Sequence, residues 1–268
     1  MNRKFLYPLL VILIVVGINA LDYFVDTSQQ EEVVEAGEYP KEATNLFFIP
    51  TSTTNQIVHH EHYSLSYHEE FEQAEWVAYE LKKSHLAKTN FKRPYFEIDD
   101  AVETKAAHWK NYKRSGYTRG HLCPAADRRF SKDAHDETFL TSNISPQLLE
   151  FNAGIWNRLE QKVRYWANKN DGVFVITGGV LKKGLGSIGE EQVAIPDQFY
   201  KIVLDYNNGK PKVLAFLMDH KDSKEPLYTF VVPVDRVEQL TGIDFFPQLD
   251  DAVEAKIEAS SKYTNWSF

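Results

Sequence analysis

The chain has 268 residues, 43% hydrophobic and 25% charged, a composition that admits one large packed domain and excludes wholesale disorder. With 30 Lys and Arg against 38 Asp and Glu the formal charge is −8, which excludes a uniformly basic nucleic-acid binder. The single cysteine, Cys123, excludes an internal disulfide framework, a cysteine-rich metal cluster and an N-terminal lipoprotein anchor.

Arg3 and Lys4 precede an apolar run over 5–21 that is interrupted only by Pro8, Gly17 and Asn19. Cations ahead of a hydrophobic stretch direct a chain to or through a membrane. Residues 1–25 are therefore expected to be a signal anchor or a cleaved signal peptide, with the rest of the chain extracytoplasmic. Residues 26–56 are acidic and short of apolar anchors, so they read as a linker ahead of a folded domain over 57–268.

Charge is unevenly spread along the chain. Residues 26–80 hold 12 acids against Lys41 alone, whereas 81–133 hold 13 Lys and Arg against 6 acids. Local potential rather than net charge governs an encounter with a polyanion, so 81–133 is the segment suited to phosphate.

Alternation predicts strands over 62–67 and around 76–79. The spacing of Ile155, Leu159, Val163 and Trp166 predicts a helix over 147–168, with Ser145 as its cap and Pro146 near its first turn. Further strands are expected at 173–176, 198–206 and 213–218, and a short helix at 234–240 closed by Thr241 and Gly242. Strands and helices alternate without a βαβ rhythm, which argues an α+β fold.

Several patterns have plain structural explanations. Gly184, Gly186 and Gly189 spell GxGxxG, but Pro196 follows too soon for a crossover helix, so a glycine-rich hairpin loop is expected. His59, His60 and His62 could share a strand edge around a transition metal, yet imidazoles at a strand edge are more often merely solvated, which is the reading expected here. Cys123 beside Pro124, among apolar neighbours, reads as a packed thiol rather than a partner of His121 in nucleophilic catalysis.

The informative stretch runs from Gly116 to Asp127 and contains Arg119-Gly120-His121. Arginine offers a fixed fork of donors to phosphate oxygens, and a neutral imidazole can take a proton from water near pH 7. Glycine between them permits close backbone approach. A surface arginine and a core histidine would explain those three letters alone. The downstream helix changes that: Asn152, Trp156, Glu160 and Arg164 recur at every fourth position and are expected on one face. An amide oxygen, a carboxylate and a guanidinium together can hold a hydrated hard cation and a phosphate, and Mg²⁺ needs few protein ligands.

Three strings carry a resemblance. They are Arg-Gly-His-Leu-x-Pro-Ala-x-Asp at 119–127, Ser-Asn-Ile-Ser-Pro-Gln at 142–147, and the Asn-x3-Trp-x3-Glu-x3-Arg helix at 152–164. In this order and spacing the chain resembles the DNA/RNA non-specific endonucleases, the ββα-metal nucleases with an Asp-Arg-Gly-His signature, over about 57–250. The resemblance implies a central antiparallel sheet with flanking helices and a ββα-metal motif. It also implies a metal-dependent endonuclease that hydrolyses DNA and RNA with little sequence preference, leaving 5′-phosphate and 3′-hydroxyl ends. By the same resemblance His121 is the general base, Asn152 the one direct ligand to Mg²⁺ (or Mn²⁺), and Arg119 lies at the phosphate. Asn143 supports the site toward substrate, Glu160 and Arg164 hold metal waters and phosphate, and Arg93 is an upstream phosphate clamp.

Thr118 stands where the signature has Asp and brings no charge, and Cys123 stands where Ala is common. Expected partners are DNA and RNA, the membrane through the N-terminal segment and a second copy of the chain as a homodimer; the sequence identifies no inhibitor protein. Two rival readings are an inactive nucleic-acid-binding module on the same scaffold and a cell-surface interaction module.

Overall fold

β-Branched and aromatic residues recur in the runs that pair into the central sheet, where their side chains fit a pleated, covered surface. The computed structural model describes residues 48–206 and 211–268. The expected membrane segment at 1–25 and most of the linker fall outside these residues. Among the described residues no helix is long and apolar enough to cross a membrane. The chain already packs at Phe48 and Ile49, ahead of the boundary placed at residue 57.

Seven strands form one antiparallel sheet in the order β1-β2-β3-β6-β9-β10-β11. They are β1 (Ile57–His59), β2 (Ser64–His68), β3 (Gln73–Lys82), β6 (Gly172–Gly179), β9 (Gln198–Asp205), β10 (Lys212–Asp219) and β11 (Val231–Val232). Two smaller pairs stand apart from it. One joins β4 (Thr118–His121) to β5 (Ile144–Gln147), and the other joins β7 (Ser187–Ile188) to β8 (Val193–Ala194). The fold is α+β with a central antiparallel sheet, as expected.

Both faces of the sheet are covered, so its strands read as continuous apolar runs rather than a clean alternation. Period two still sorts their side chains. Val77, Tyr79, Val175, Phe199, Val203, Leu214 and Phe216 face one core, and Trp76, Ala78, Phe174, Tyr200, Ile202 and Ala215 face the other. The first core is closed by α2, a helix of three consecutive segments: Leu149–Phe151, a π turn Asn152–Trp156 and Asn157–Lys169. The short α1 (Lys132–Glu137) precedes it. The second core is closed by α3 (Val234–Thr241), α4 (Asp251–Glu258) and the loop between them. Gly242, at φ +73° after α3, ends that helix in the left-handed conformation as predicted.

The predicted helix over 147–168 needs two corrections. It starts at Leu149, because Gln147 and Pro146 belong to β5 and the Ser145 hydroxyl donates to Gln73 Oε1 (2.6 Å) instead of capping. His220 Nε2 accepts from the Leu148 amide (2.8 Å) at the helix entrance instead. The helix is also not regular. Asp222 Oδ1 accepts from the Ile155 amide (2.9 Å), and a Cβ on Gly154 would collide with that oxygen. The inserted carboxylate opens the π turn, so the strict four-residue face does not hold between Asn152 and Trp156.

The glycines at 184–189 form a turn running into the β7–β8 pair, as the hairpin reading required. His59 Nδ1 bonds Ser64 Oγ (2.8 Å) and His60 Nε2 bonds Asp99 Oδ2 (2.8 Å), so these imidazoles are used separately rather than gathered around a metal. Cys123 is sealed in the first core, and burial pushes its thiol up to about 12, which makes it inert.

Candidate active site

β4, β5 and α2 place the predicted residues. β4 pairs antiparallel with β5, Gly120 facing Ser145 and His121 facing Ile144. The Gly120 position is closed from within: a Cβ there would collide with Gln147 Oε1. That packing by itself demands glycine between Arg119 and His121.

Arg119 and His121, two apart on a strand, share a face, and Phe96 lies against both. The Arg119 guanidinium is 5.5 Å from the Phe96 ring centre, 5.6 Å from that of Trp109 and 5.8 Å from that of Tyr112. It donates to the Trp109 carbonyl (3.2 Å), and its buried Nε has no hydrogen-bond partner among the described residues. Arg93 stacks over Phe96 and Phe139, 5.4 Å from each ring centre. No ion pair of a described residue engages Arg93 or Arg119. Two unpaired guanidiniums around one ring repel each other unless an anion sits with them.

His121 rests between Phe96 (5.5 Å) and Phe139 (4.9 Å, edge-on), and its buried Nε2 has no hydrogen-bond partner among the described residues. Burial first, then the Arg93 and His135 charges, holds its imidazole down to about 3. The ring is therefore held in its neutral form across the physiological range.

Asn152 is half-buried at the start of the π turn. Its Nδ2 donates to Thr118 Oγ1 (3.0 Å), and Thr118 in turn donates to the Gln147 carbonyl (2.8 Å). A hydroxyl has one proton. With that proton on Gln147, Thr118 can only accept from Asn152, which leaves Asn152 Oδ1 without a hydrogen bond from any described residue. A free amide oxygen is a hard donor of the kind Mg²⁺ or Mn²⁺ takes, so the residues present fit a single-ligand cation site.

Asn143 and Arg164 have partners inside the protein. Asn143 is fully buried; its Oδ1 accepts from the Cys123 amide (2.8 Å) and its Nδ2 donates to the Cys123 (3.0 Å) and Thr138 (2.8 Å) carbonyls. It shapes the loop after His121, with its amide oxygen and amide protons held inside the protein. Arg164 Nη1 bonds Asp127 Oδ1 at 2.7 Å, so that donor is committed inside the protein rather than offered to phosphate. Asp127 Oδ2 accepts from Tyr79 (2.9 Å). Burial raises the Glu160 carboxyl, opposed chiefly by the Lys201 charge.

Sequence reasoning gave no role to Phe96, Phe139, Asp127 or Lys201. Lys201 is fully buried, with its ammonium 4.8 Å from the Trp156 ring centre. A signal for it existed: it shares a strand face with Phe199 and Val203, where a charged residue is out of place.

A family model described as DNA/RNA non-specific endonuclease matches residues 43–252. The chain is 33% identical over 250 residues to mitochondrial nuclease EXOG of Danio rerio, covering 87% of this chain and 72% of that protein. It is 31% identical over 209 residues to mitochondrial endonuclease G of Homo sapiens, covering 72% and 70%. It is also 31% identical over 232 residues to nuclease C1 of Cunninghamella echinulata var. echinulata, covering 79% and 90%. Among solved structures, that of the EndoG/EndoGI complex is similar at a TM-score of 0.66 and 30% identity, covering 73% of this chain and 87% of that one.

Proposed function

Because the chain belongs to the DNA/RNA non-specific endonuclease family and is a phosphodiester-cleaving nuclease, we propose that it hydrolyses both DNA and RNA with His121 as general base and a divalent cation on Asn152. The observation that carries this reading is the grouping around Phe96: two guanidiniums without acidic partners and a neutral imidazole with a free ring nitrogen. Arg93 and Arg119 bind the phosphate at the scissile position and orient it. His121 removes a proton from the attacking water, and Phe96 and Phe139 hold the ring in place. Thr118 keeps the Asn152 amide oxygen available. When bound, Mg²⁺ or Mn²⁺ would stabilise negative charge on the phosphate and the leaving oxygen. Lys110, Lys113 and Arg114, all exposed next to the Trp109 turn against Arg119, extend the positive surface for the nucleic-acid backbone.

Export rests on Arg3, Lys4 and the apolar run that follows them. Cell fractionation checks it, and recovery of the protein with cytoplasmic markers alone would refute it. The reaction itself is tested by digesting linear duplex DNA and single-stranded RNA with and without EDTA, using wild type and His121→Ala. Cutting of both substrates that EDTA and His121→Ala each abolish supports the reading. Cutting that survives either would overturn it.

A further inference from the structure

The opposite face of the sheet from α2 carries a second group of oxygen donors. Asp235 and Glu238 lie three apart on α3, and Glu254 and Glu258 four apart on α4, so each pair projects from one helix side. Gly242 turns the chain back after α3 and brings Asp244 alongside. Glu238, Asp244, Glu254 and Glu258, with Gly242 and Ile243, line an open cleft of about 400 Å³. Carboxylate oxygens of Asp235, Glu238 and Glu258 lie within 4.8 Å of one another, and so do those of Asp244, Glu254 and Glu258.

Glu258 belongs to both sets. It is only 6% exposed, and its Oε1 is sealed from solvent with no hydrogen-bond partner among the described residues. No ion pair of a described residue involves any of the five acids. Burial, then Glu238, Glu254, Asp244 and Asp235, pushes the Glu258 carboxyl up to about 8. Like charges four apart on a helix destabilise it. The neighbouring Ile257 and Val237 are nevertheless packed into the core, which fixes the acids in this crowded arrangement.

We propose that the cleft between α3 and α4 is a second cation site, separate from the one on Asn152, that takes Ca²⁺. The donors are all carboxylate oxygens, without imidazole or thiolate, which favours a hard cation over zinc or copper. They come from two helices and a loop and outnumber the one or two carboxylates with which Mg²⁺ usually makes do, whereas Ca²⁺ accepts six to eight oxygens in flexible geometry. Ca²⁺ here joins α4 to α3. Through Asp244, whose amide donates to Thr51 Oγ1 (2.9 Å), it also steadies the segment that enters the sheet. This site does not depend on the nuclease mechanism.

The test uses the full-length chain, stripped with chelator and melted with increasing CaCl₂ or MgCl₂, alongside calorimetric titration of Ca²⁺. Saturable stabilisation by Ca²⁺ is expected, with half-saturation at about 10⁻⁴–10⁻³ M or tighter. Glu258→Gln should weaken it at least about tenfold, as should Asp244→Asn at the exposed rim, which serves if the buried substitution fails to fold. Asn152→Ala should leave Ca²⁺ stabilisation intact, and Asp244→Asn should cut DNA in Mg²⁺ like wild type. No Ca²⁺-dependent shift, equal stabilisation by Mg²⁺ at lower concentration, or unchanged Ca²⁺ affinity in a folded variant would each overturn the site.

Discussion

Thr118 Oγ1 donates to the Gln147 carbonyl at 2.8 Å and accepts from Asn152 Nδ2 at 3.0 Å, so one hydroxyl ties β4 to β5 and α2 and fixes the asparagine amide. The residue that departs from the Asp-Arg-Gly-His signature therefore has a positioning job that needs no charge. Thr118→Val keeps the shape and removes both bonds. Turnover should fall about 10–100-fold, the usual effect of losing a group that orients a metal ligand, with a higher Mg²⁺ requirement and an unchanged affinity for short duplex. Turnover equal to wild type at all Mg²⁺ concentrations would show that the amide needs no such guide.

Asn152→Ala removes the free oxygen itself. Cutting should be lost while stability changes by no more than about 0.5 kcal/mol, because the side chain is half-buried and outside the core. Asn152→Asp should retain activity, since a carboxylate oxygen is as hard a donor as an amide oxygen. Circular dichroism in EDTA should match that of untreated protein. Cooperative unfolding would identify a structural metal instead.

His121→Ala should lower turnover by about 10²–10⁴, with duplex binding preserved within a few-fold. The pH profile adds a finer test. The folded-state value, near 3, lies below that of a free imidazole, so the neutral base persists as pH falls through 6.5 and the acid limb of kcat/KM should lie below that point. Arg93→Gln deletes the largest charge contribution to that depression and should move the limb upward. A limb that does not move would mean that another group titrates.

Reversing Lys110, Lys113 and Arg114 to Glu should flatten the dependence of log affinity on log salt by about 0.9 for each phosphate no longer neutralised. Fluorescence anisotropy on duplex DNA between low and moderate salt measures the slope. The same slope in the triple variant would place the nucleic-acid surface elsewhere.

Asp127→Ala should destabilise the fold by about 3–5 kcal/mol, because it strands the Arg164 guanidinium on a buried partner position and removes the acceptor of Tyr79. Denaturant unfolding reads this directly. A loss below about 1 kcal/mol would mean that water screens the pair.

The sequence by itself determined the strands at 73–82, 172–179, 198–205 and 212–219, the helix at 234–241 and its glycine stop, and the hairpin at the glycine-rich turn. Each is a local matter, decided by side-chain period, β-branched content and the few residues that tolerate unusual backbone angles. The family was legible for a related reason, since Arg119, His121 and Asn152 lie in short strings whose internal spacing the fold preserves. Only the tertiary structure decided which atoms are free. That Asn143 spends its amide on Cys123 and Thr138, that Arg164 turns to Asp127, and that Phe96 gathers Arg93, Arg119 and His121 all depend on contacts between distant segments. The π turn belongs with them, because its cause is Asp222, a carboxylate far along the chain that reaches the Ile155 amide only once the sheet has formed. Periodicity reports the face a side chain occupies, whereas a hydrogen-bond partner or an uncompensated charge exists only after packing has excluded water and brought the two groups together.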